Sequence, residues 1–439
     1  MRPAPARAAF ILAAGLAAMA TLGLAMTRGP SPAPAGCPPT VLLLYTGEQR
    51  GHLEPCGCTQ PQIGGLPRRA TFLASLPHGP APVVVDDGDM VDDPGRQSQL
   101  KAEALAAFYR LNGYAAVNLG EQDFHLGFGY LRALQAEAKV PFLSANVRLG
   151  NHPAISETAA AAGVTLVGVI AASLGPDVKR WNPMLTVETP AAALARLEPS
   201  LKSAGRVVLL FHGAPEEARP LARRFPWLAA IVTAHEADDY RPEALVEAGV
   251  PLVNAGRWGK VVGRLELGPN GVRQLPPVTL GPEWSDAAPV RALMNRYLSR
   301  VNAEGLLEQV PRLPDPEGRH YAGTAACRSC HPAAYATWEK SGHAHAYQAL
   351  VSAGHDRDPD CAGCHVVGLT SESGFRSLAA TPHLKDVGCE SCHGGGGAHA
   401  PSPAAHPMPR LDAATCRRCH VAEQSPHFDF TTYWPKIRH

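Results

Sequence analysis

From Thr40 onward, short apolar runs alternate with amphipathic stretches. "TVLLLYT" (40–46), "APVVVDD" (81–87), "AAVNLG" (115–120), "VTLVGVIAA" (164–172), "RVVLLFH" (206–212), "LAAIVTAH" (228–235), "VPLVNAG" (250–256) and "VVGRLEL" (261–267) read as strands. Each is short, rich in branched residues and bounded by Gly, Asp or Pro, the pattern of strands buried in a sheet. Between them the chain predicts helices over about 97–112, 127–138, 189–204 and 215–225. Strand and helix in alternation predict an α/β fold, two sheets in a sandwich flanked by helices. A further helix is predicted from Ala288 to Asn302, and the Pro-rich "PRLPDPEG" then marks a linker with a boundary near 312–319. Beyond it the pattern changes. Residues 319–439 hold few long aliphatic runs, too few for an ordinary core.

At 439 residues the chain exceeds one average domain. Its formal charge of +1 points neither to nucleic acid nor to an anionic membrane surface. The first residues read as an export segment: Arg2 and Arg7, an apolar run from Ala8 to Met26, then the spacer "TRGPSPAPAGC". The run is also long enough for a membrane anchor. "PAPAGC" resembles a lipoprotein cleavage site before Cys37, except that Pro34 stands where such sites place a branched apolar residue. Cleavage, anchoring and lipidation stay open, and each places the mature chain outside the cytoplasm, in the periplasm or on the outer side of the cytoplasmic membrane.

Eleven cysteines in an exported chain suggest disulfides, but their arrangement argues otherwise. Eight occur as "CRSCH" (Cys327, Cys330, His331), "CAGCH" (Cys361, Cys364, His365), "CESCH" (Cys389, Cys392, His393) and "CRRCH" (Cys416, Cys419, His420), at spacings of 34, 28 and 27 residues. C-x-x-C-H is the attachment signature of c-type haem. Two thiols on one helical turn reach the two vinyl groups of a porphyrin, and the next residue turns its imidazole to the iron. Zinc also binds paired C-x-x-C units but does not require a histidine after each one. Four covalent haems are therefore expected, and they supply the apolar mass that 319–439 lacks.

A low-spin haem needs a second axial ligand. Beside the four proximal histidines the segment offers His320, His343, His345, His355, His383, His399, His406, His427 and His439. His343 follows Trp338 in "WEKSGHAHA", and His399 follows four glycines that let backbone approach a porphyrin face. His343 and His399 are the favoured distal ligands, then His427 and His406. Imidazole on both faces favours electron transfer, whereas an open iron admits small molecules. The phrases "YAGTAACRSCH", "SGHAHA" and "VGCESCHGGGGAH" resemble the multihaem cytochrome c-554 family over Tyr321 to about His427. The resemblance implies an electron carrier or redox enzyme subunit with periplasmic or membrane redox partners.

The phrases at the predicted strand ends, "DDGDMVDD", "GYAAVNLGEQDF", "PFLSANV", "VVLLFHG", "VTAHEAD" and "VNAGRWGKVVGRLEL", resemble the calcineurin-like metallophosphoesterases, especially their 5′-nucleotidase branch. That resemblance implies two metal ions clamping an attacking and a leaving oxygen. The ligand pattern departs from it. Asp-x-His after the first strand is replaced by Glu48 and Arg50, and arginine cannot ligate a metal. Asp89, His212 and His235 remain, the Asn-His pair becomes Glu121-Gln122, and the closing histidine becomes Ala237. A residual site and no ordinary phosphoesterase activity are expected.

"HLEPCGC" lies directly after the first strand, at the mouth where this family's chemistry takes place. With the following "GGLPRRATFL" it resembles a 5′-nucleotidase-like subgroup, some of whose members carry selenocysteine in this region. A Cys56–Cys58 disulfide would close a small strained ring, a reducible couple. As thiolates, Cys56 and Cys58 would join His52, His212 or His235 on copper or zinc. A passive thiol pair or disulfide, with Cys37 as a further partner, is the third reading. Arg68 and Arg69 either lower the thiol pKa or form a solvated helix face.

The expected organisation is an export segment or anchor over 1–37, a metallophosphoesterase-like domain over 38–285, a helix and linker over 286–318, and a small, mostly helical and irregular haem-packed domain over 319–439. The expected function is electron transfer by a tetrahaem cytochrome whose front domain has given up hydrolysis for a Cys/His redox or metal site. The alternatives are a working hydrolase with an appended cytochrome, and a front domain that serves only as a docking scaffold.

Overall fold

The computed structural model describes residues 39–55, 61–77, 80–236, 240–254, 256–315 and 319–439. The export segment with Cys37, the pair Cys56 and Cys58, and Ala237 lie outside the described residues. No described helix is long and apolar enough to cross a membrane.

Two six-stranded sheets form the front of the chain. In the first, Val41–Thr46, Val83–Asp86, Tyr114–Asn118 and Phe142–Leu143 run parallel. Val261–Gly268 pairs antiparallel with Val41–Thr46, Leu43 opposite Leu265, and Gly271–Thr279 closes the edge. In the second, Val164–Ile170, Arg206–His212, Ala230–Thr233 and Val250–Asn254 run parallel, with Thr158–Ala161 and Leu245–Glu247 antiparallel at the edges.

Period-two alternation decides how the sheets stack. Val41, Leu43 and Tyr45 face Leu166, Val208 and Leu210 of the other sheet, while Leu44 turns to the outer layer. That outer layer includes the helices Arg96–Leu111 and Ala288–Ala303, through Leu100, Leu105, Phe108, Val290, Met294 and Tyr297. Pro190–Ser203 and Pro215–Arg224 cover the second sheet through Ala193, Leu194, Ala218 and Leu221. Each buried Leu or Val contributes about 1.5–3 kcal/mol over exposure. Asn118 ties the layers together, its amide donating to Asp87 at 2.9 Å and to the Val169 and Leu210 carbonyls at 3.1 Å.

The helix Leu66–Ala74 corrects one expectation. Arg69 is not on a solvated face; its side chain is fully buried, donating to Gln49 and to the Tyr114 hydroxyl. The neighbouring Asp86, Tyr109 and Tyr114 supply the polar surroundings that burial of a guanidinium demands. Arg68 donates to the Gln62 carbonyl at 2.7 Å.

The C-terminal part is built from short helices, among them Pro332–Glu339, Ala346–Ala353, Pro359–His365 and Cys389–His393. Its buried apolar cluster is small, centred on Tyr347, Val366, Val367, Phe375 and Leu384. The Pro-rich linker lies against it: Arg312 donates to the Leu369 and Phe375 carbonyls at 3.0 and 2.8 Å. Thr40–His439 forms one compact unit.

Candidate functional site

Ligand sites in open parallel sheets gather beyond the carboxyl ends of strands. Glu48 and Arg50 follow Val41–Thr46, Asp89 follows Val83–Asp86, and Glu121 follows Tyr114–Asn118. His212 ends its strand, and His235 follows Ala230–Thr233. Glu48, Arg50, Asp89 and His235 all have positive φ, between 43° and 53°. Left-handed backbone at non-glycine residues is costly and collects at functional sites.

Asp89, Glu121, His212 and His235 converge so that one ligand atom from each lies within 4.8 Å of the others. His212 Nδ1 donates to the Asp87 carbonyl, which aims Nε2 into the cluster, where it would offer its lone pair to a cation. That nitrogen is 2.9 Å from His235 Nε2, 3.2 Å from Glu121 Oε2 and 3.3 Å from Asp89 Oδ1. Asp89 Oδ2 and Glu121 Oε2 are buried without hydrogen-bond partners. Burial alone would raise the Glu121 carboxyl, but the two imidazoles beside it outweigh burial and hold it below the usual carboxylate range. Two carboxylates and two imidazoles are a donor set for one zinc, copper, manganese or iron ion. The orphaned buried oxygens fit a cation there.

Gly120 makes this convergence possible, since a Cβ at that position would collide with Asp89 Oδ1 and the His212 ring. Buried Asp123 braces the same loops, accepting from the backbone N–H groups of Asp89, Met90 and Gly120 at 2.8–3.0 Å.

Arg50 supplies a fixed positive charge beside this cluster. Its guanidinium is 2.9 Å from Glu48, 3.8 Å from Asp89 and 3.6 Å from Asp92. Arg257 approaches Glu48 from the other side at 3.4 Å. Glu48 is thus neutralised by arginines and held away from the four-residue group, with its Oε2 accepting from the His235 N–H at 3.1 Å. His52 does not join the group: its Nε2 lies 2.6 Å from Glu423 of the C-terminal part.

None of the eight C-x-x-C-H cysteines forms a disulfide among the described residues. Cys327 lies close to Cys389, and Cys364 to Cys419, so the first motif lies beside the third and the second beside the fourth. His331 lies opposite His399 with ring centres 6.3 Å apart. His343 faces His420 at 6.2 Å, and His393 faces His439 at 6.0 Å. A metal–imidazole bond of about 2 Å and roughly 1 Å more to the ring centre, on both sides of one iron, separate two centres by about 6 Å. Outer hydrogen bonds also orient the rings for metal. The Nδ1 atoms of His399, His365 and His439 bond to the carbonyls of His406, Ala346 and Ile437, and His420 Nδ1 bonds to Ser425. These observations fit haem iron between paired imidazoles.

His343 and His399 thus stand opposite proximal histidines. Neither His427 nor His406 faces a proximal ring among the described residues; His406 supports His399 through its carbonyl. His439 takes the place opposite His393, and His365 faces no second imidazole among the described residues. Nothing in the spacing sets His439 apart from the other histidines of the segment. Glu121 joins this group although the phosphoesterase pattern places Asn there; the carboxylate itself is the signal in the sequence.

Residues 326–394 match the family described as cytochrome c554 and c-prime. Cytochrome c-554 of Nitrosomonas europaea is 34% identical over 91 residues, covering 17% of this chain and 39% of that relative. The chain therefore spans well under half the length of the curated relative it matches. A 5′-nucleotidase precursor of Thermus thermophilus superposes with TM-score 0.52 at 22% identity, over 67% of this chain and 68% of that one. The sulfate thiohydrolase SoxB of Thermus thermophilus superposes with TM-score 0.53 at 17% identity, over 69% of each chain. The front part shares its fold with these two structures, and the C-terminal part resembles cytochrome c-554.

Proposed function

We propose that this protein is an exported tetrahaem c-type cytochrome that carries out electron transfer. Its front domain, of phosphoesterase fold, has lost two-metal hydrolysis and holds a single metal ion. The observation that carries the reading is the set of three facing imidazole pairs, His331–His399, His343–His420 and His393–His439, at 6.0–6.3 Å.

Bound haem supplies one-electron chemistry at iron and, where both axial positions are filled by imidazole, no site for a substrate. The residues of this chain anchor and orient it. The cysteine pairs fix each porphyrin covalently, the paired imidazoles fill both axial positions, and the outer hydrogen bonds hold the rings. His365 lacks a facing imidazole among the described residues, so the second motif is the place for an open iron. The adjacency of motif one to three and two to four supports close haem pairs, as an electron wire requires.

In the front domain Asp89, Glu121, His212 and His235 would hold the ion, zinc or copper being the candidates. Arg50 supplies a fixed charge where the fold family places ligands for a second ion. Cys56 and Cys58 remain a proposed redox or soft-metal pair on the loop that begins at His52. The chain's partners are periplasmic or membrane redox proteins, and the protein acts in the periplasm or on the outer side of the cytoplasmic membrane.

The four-residue group also favours a second reading, a hydrolase working with one metal. Haem content by mass and turnover of a generic phosphate ester with added zinc or manganese test the two together. Four haems with ester turnover at background support the proposal. Metal-dependent turnover that is lost in Glu121→Gln supports the second reading.

A further inference from the structure

The contacts between the phosphoesterase-like part and the cytochrome-like part converge on the second and fourth attachment motifs. The second motif sits on the helix Pro359–His365, whose N-cap is Asp358. The Asp358 carboxylate is buried and accepts from Gln97 Nε2 at 2.7 Å and the Tyr297 hydroxyl at 3.2 Å. Both donors belong to the helices that cover the first sheet. The start of a helix carrying two attachment cysteines and a proximal histidine is therefore fixed by the other part of the chain.

Two residues further, Asp360 pairs with Lys101 of the helix Arg96–Leu111. The Lys101 side chain is 15% exposed and the Asp360 side chain 56%. Water screens the half-exposed aspartate more than the ammonium, so the two charges of this pair do not cancel fully. Burial would lower the Lys101 pKa, but Asp360 and Asp358 outweigh burial and keep the ammonium charged.

The Lys101 stem also crosses the backbone of Gly51, where a Cβ would stand 2.9 Å from Lys101 Cδ and Nζ. Gly51 adjoins Arg50, the residue whose guanidinium lies beside Asp89. On the same loop Glu54 meets His355 at 3.1 Å and His52 meets Glu423 at 2.6 Å. Glu423 follows the fourth motif closely; burial first, then Asp89, Asp93 and last Glu423, against Arg50, push the Asp92 carboxyl up to about 7.

We propose that Lys101 is a positioning residue that joins the loop at Gly51, beside the Asp89 group, to the second haem-attachment helix. Paired with Asp360, it sets the electrostatic surroundings of the haem attached at Cys361 and Cys364. This inference rests on the tetrahaem reading and adds which haem adjoins that loop and which charge governs it. A buried positive charge stabilises the reduced haem, which carries one less positive charge than the oxidised one.

The test is a spectroscopic redox titration of the full-length haem-loaded chain, its Lys101→Met variant and its Asp360→Asn variant. In Lys101→Met, Asp358 and Asp360 lose their counter-charge, and one of the four midpoint potentials falls. In Asp360→Asn the ammonium keeps only Asp358 as a nearby opposite charge, and the same potential rises. The expected size is a several-fold to tenfold change in that haem's reduction equilibrium, tenfold being about 59 mV for one electron. The other three potentials stay in place. Shifts of equal sign in both variants, equal movement of all four potentials, or no movement would overturn the proposal. Asp360 is half exposed, so its variant carries the test even if Lys101→Met fails to fold, through the predicted rise of a single potential. Fewer than four haems by mass would fail the underlying tetrahaem reading. Four haems with unmoved potentials would fail this inference alone.

Discussion

His331 and His399, far apart in sequence, lie with ring centres 6.3 Å apart and planes inclined by 21°. His331 follows the first cysteine pair directly, and His399 has its Nδ1 held by the His406 carbonyl. A single metal between the two rings explains that spacing better than direct contact, since stacked rings in van der Waals contact approach more closely.

His399→Ala and His439→Ala are each expected to convert one low-spin haem to high-spin, leaving haem content by mass unchanged. His427→Ala is expected to leave the low-spin signal untouched. Electron paramagnetic resonance of the oxidised proteins checks all three. A low-spin haem lost in His427→Ala but kept in His439→Ala would reverse the assignment.

Arg50→Met separates two effects of one charge. Glu48 loses a close partner while almost fully buried, so the metal-free protein loses about 1–2 kcal/mol, Arg257 and partial exposure limiting the cost. Removing the same cation strengthens zinc binding at the Asp89 group, roughly tenfold. Denaturant unfolding and metal titration of one preparation give both numbers, and weaker zinc binding would count against the site.

Gly120→Ala places a methyl where Asp89 Oδ1 and the His212 ring lie. Overpacking of this kind costs about 1–3 kcal/mol. Metal binding in the front domain is expected to disappear while the haems stay attached. Unchanged zinc stoichiometry by plasma emission would show that the cluster is not where the ion binds.

Much of the fold is legible in the strand runs because each is a local hydrophobic pattern bounded by Gly or Asp. The edge strands Thr158–Ala161 and Gly271–Thr279 are not: the first is a threonine followed by plain alanines, the second contains two prolines. Helix Leu66–Ala74 hides its meaning, because "PRR" looks solvated until Gln49 and Tyr114 are folded around Arg69. The attachment cysteines and their histidines are a fixed local spacing and stand out at once. The imidazoles facing them come from distant segments, and only packing distinguishes His439 from His427. The same holds for Lys101, an ordinary helix-surface lysine in the sequence, which the fold brings to Asp360.

The most direct test of the account is the spin state of every haem in the full-length oxidised protein, by magnetic circular dichroism alongside haem content by mass. The account predicts four haems per chain, three low-spin with two imidazoles each and one high-spin on the second motif. Zinc in place of porphyrin, or irons mostly open to ligands, would contradict it.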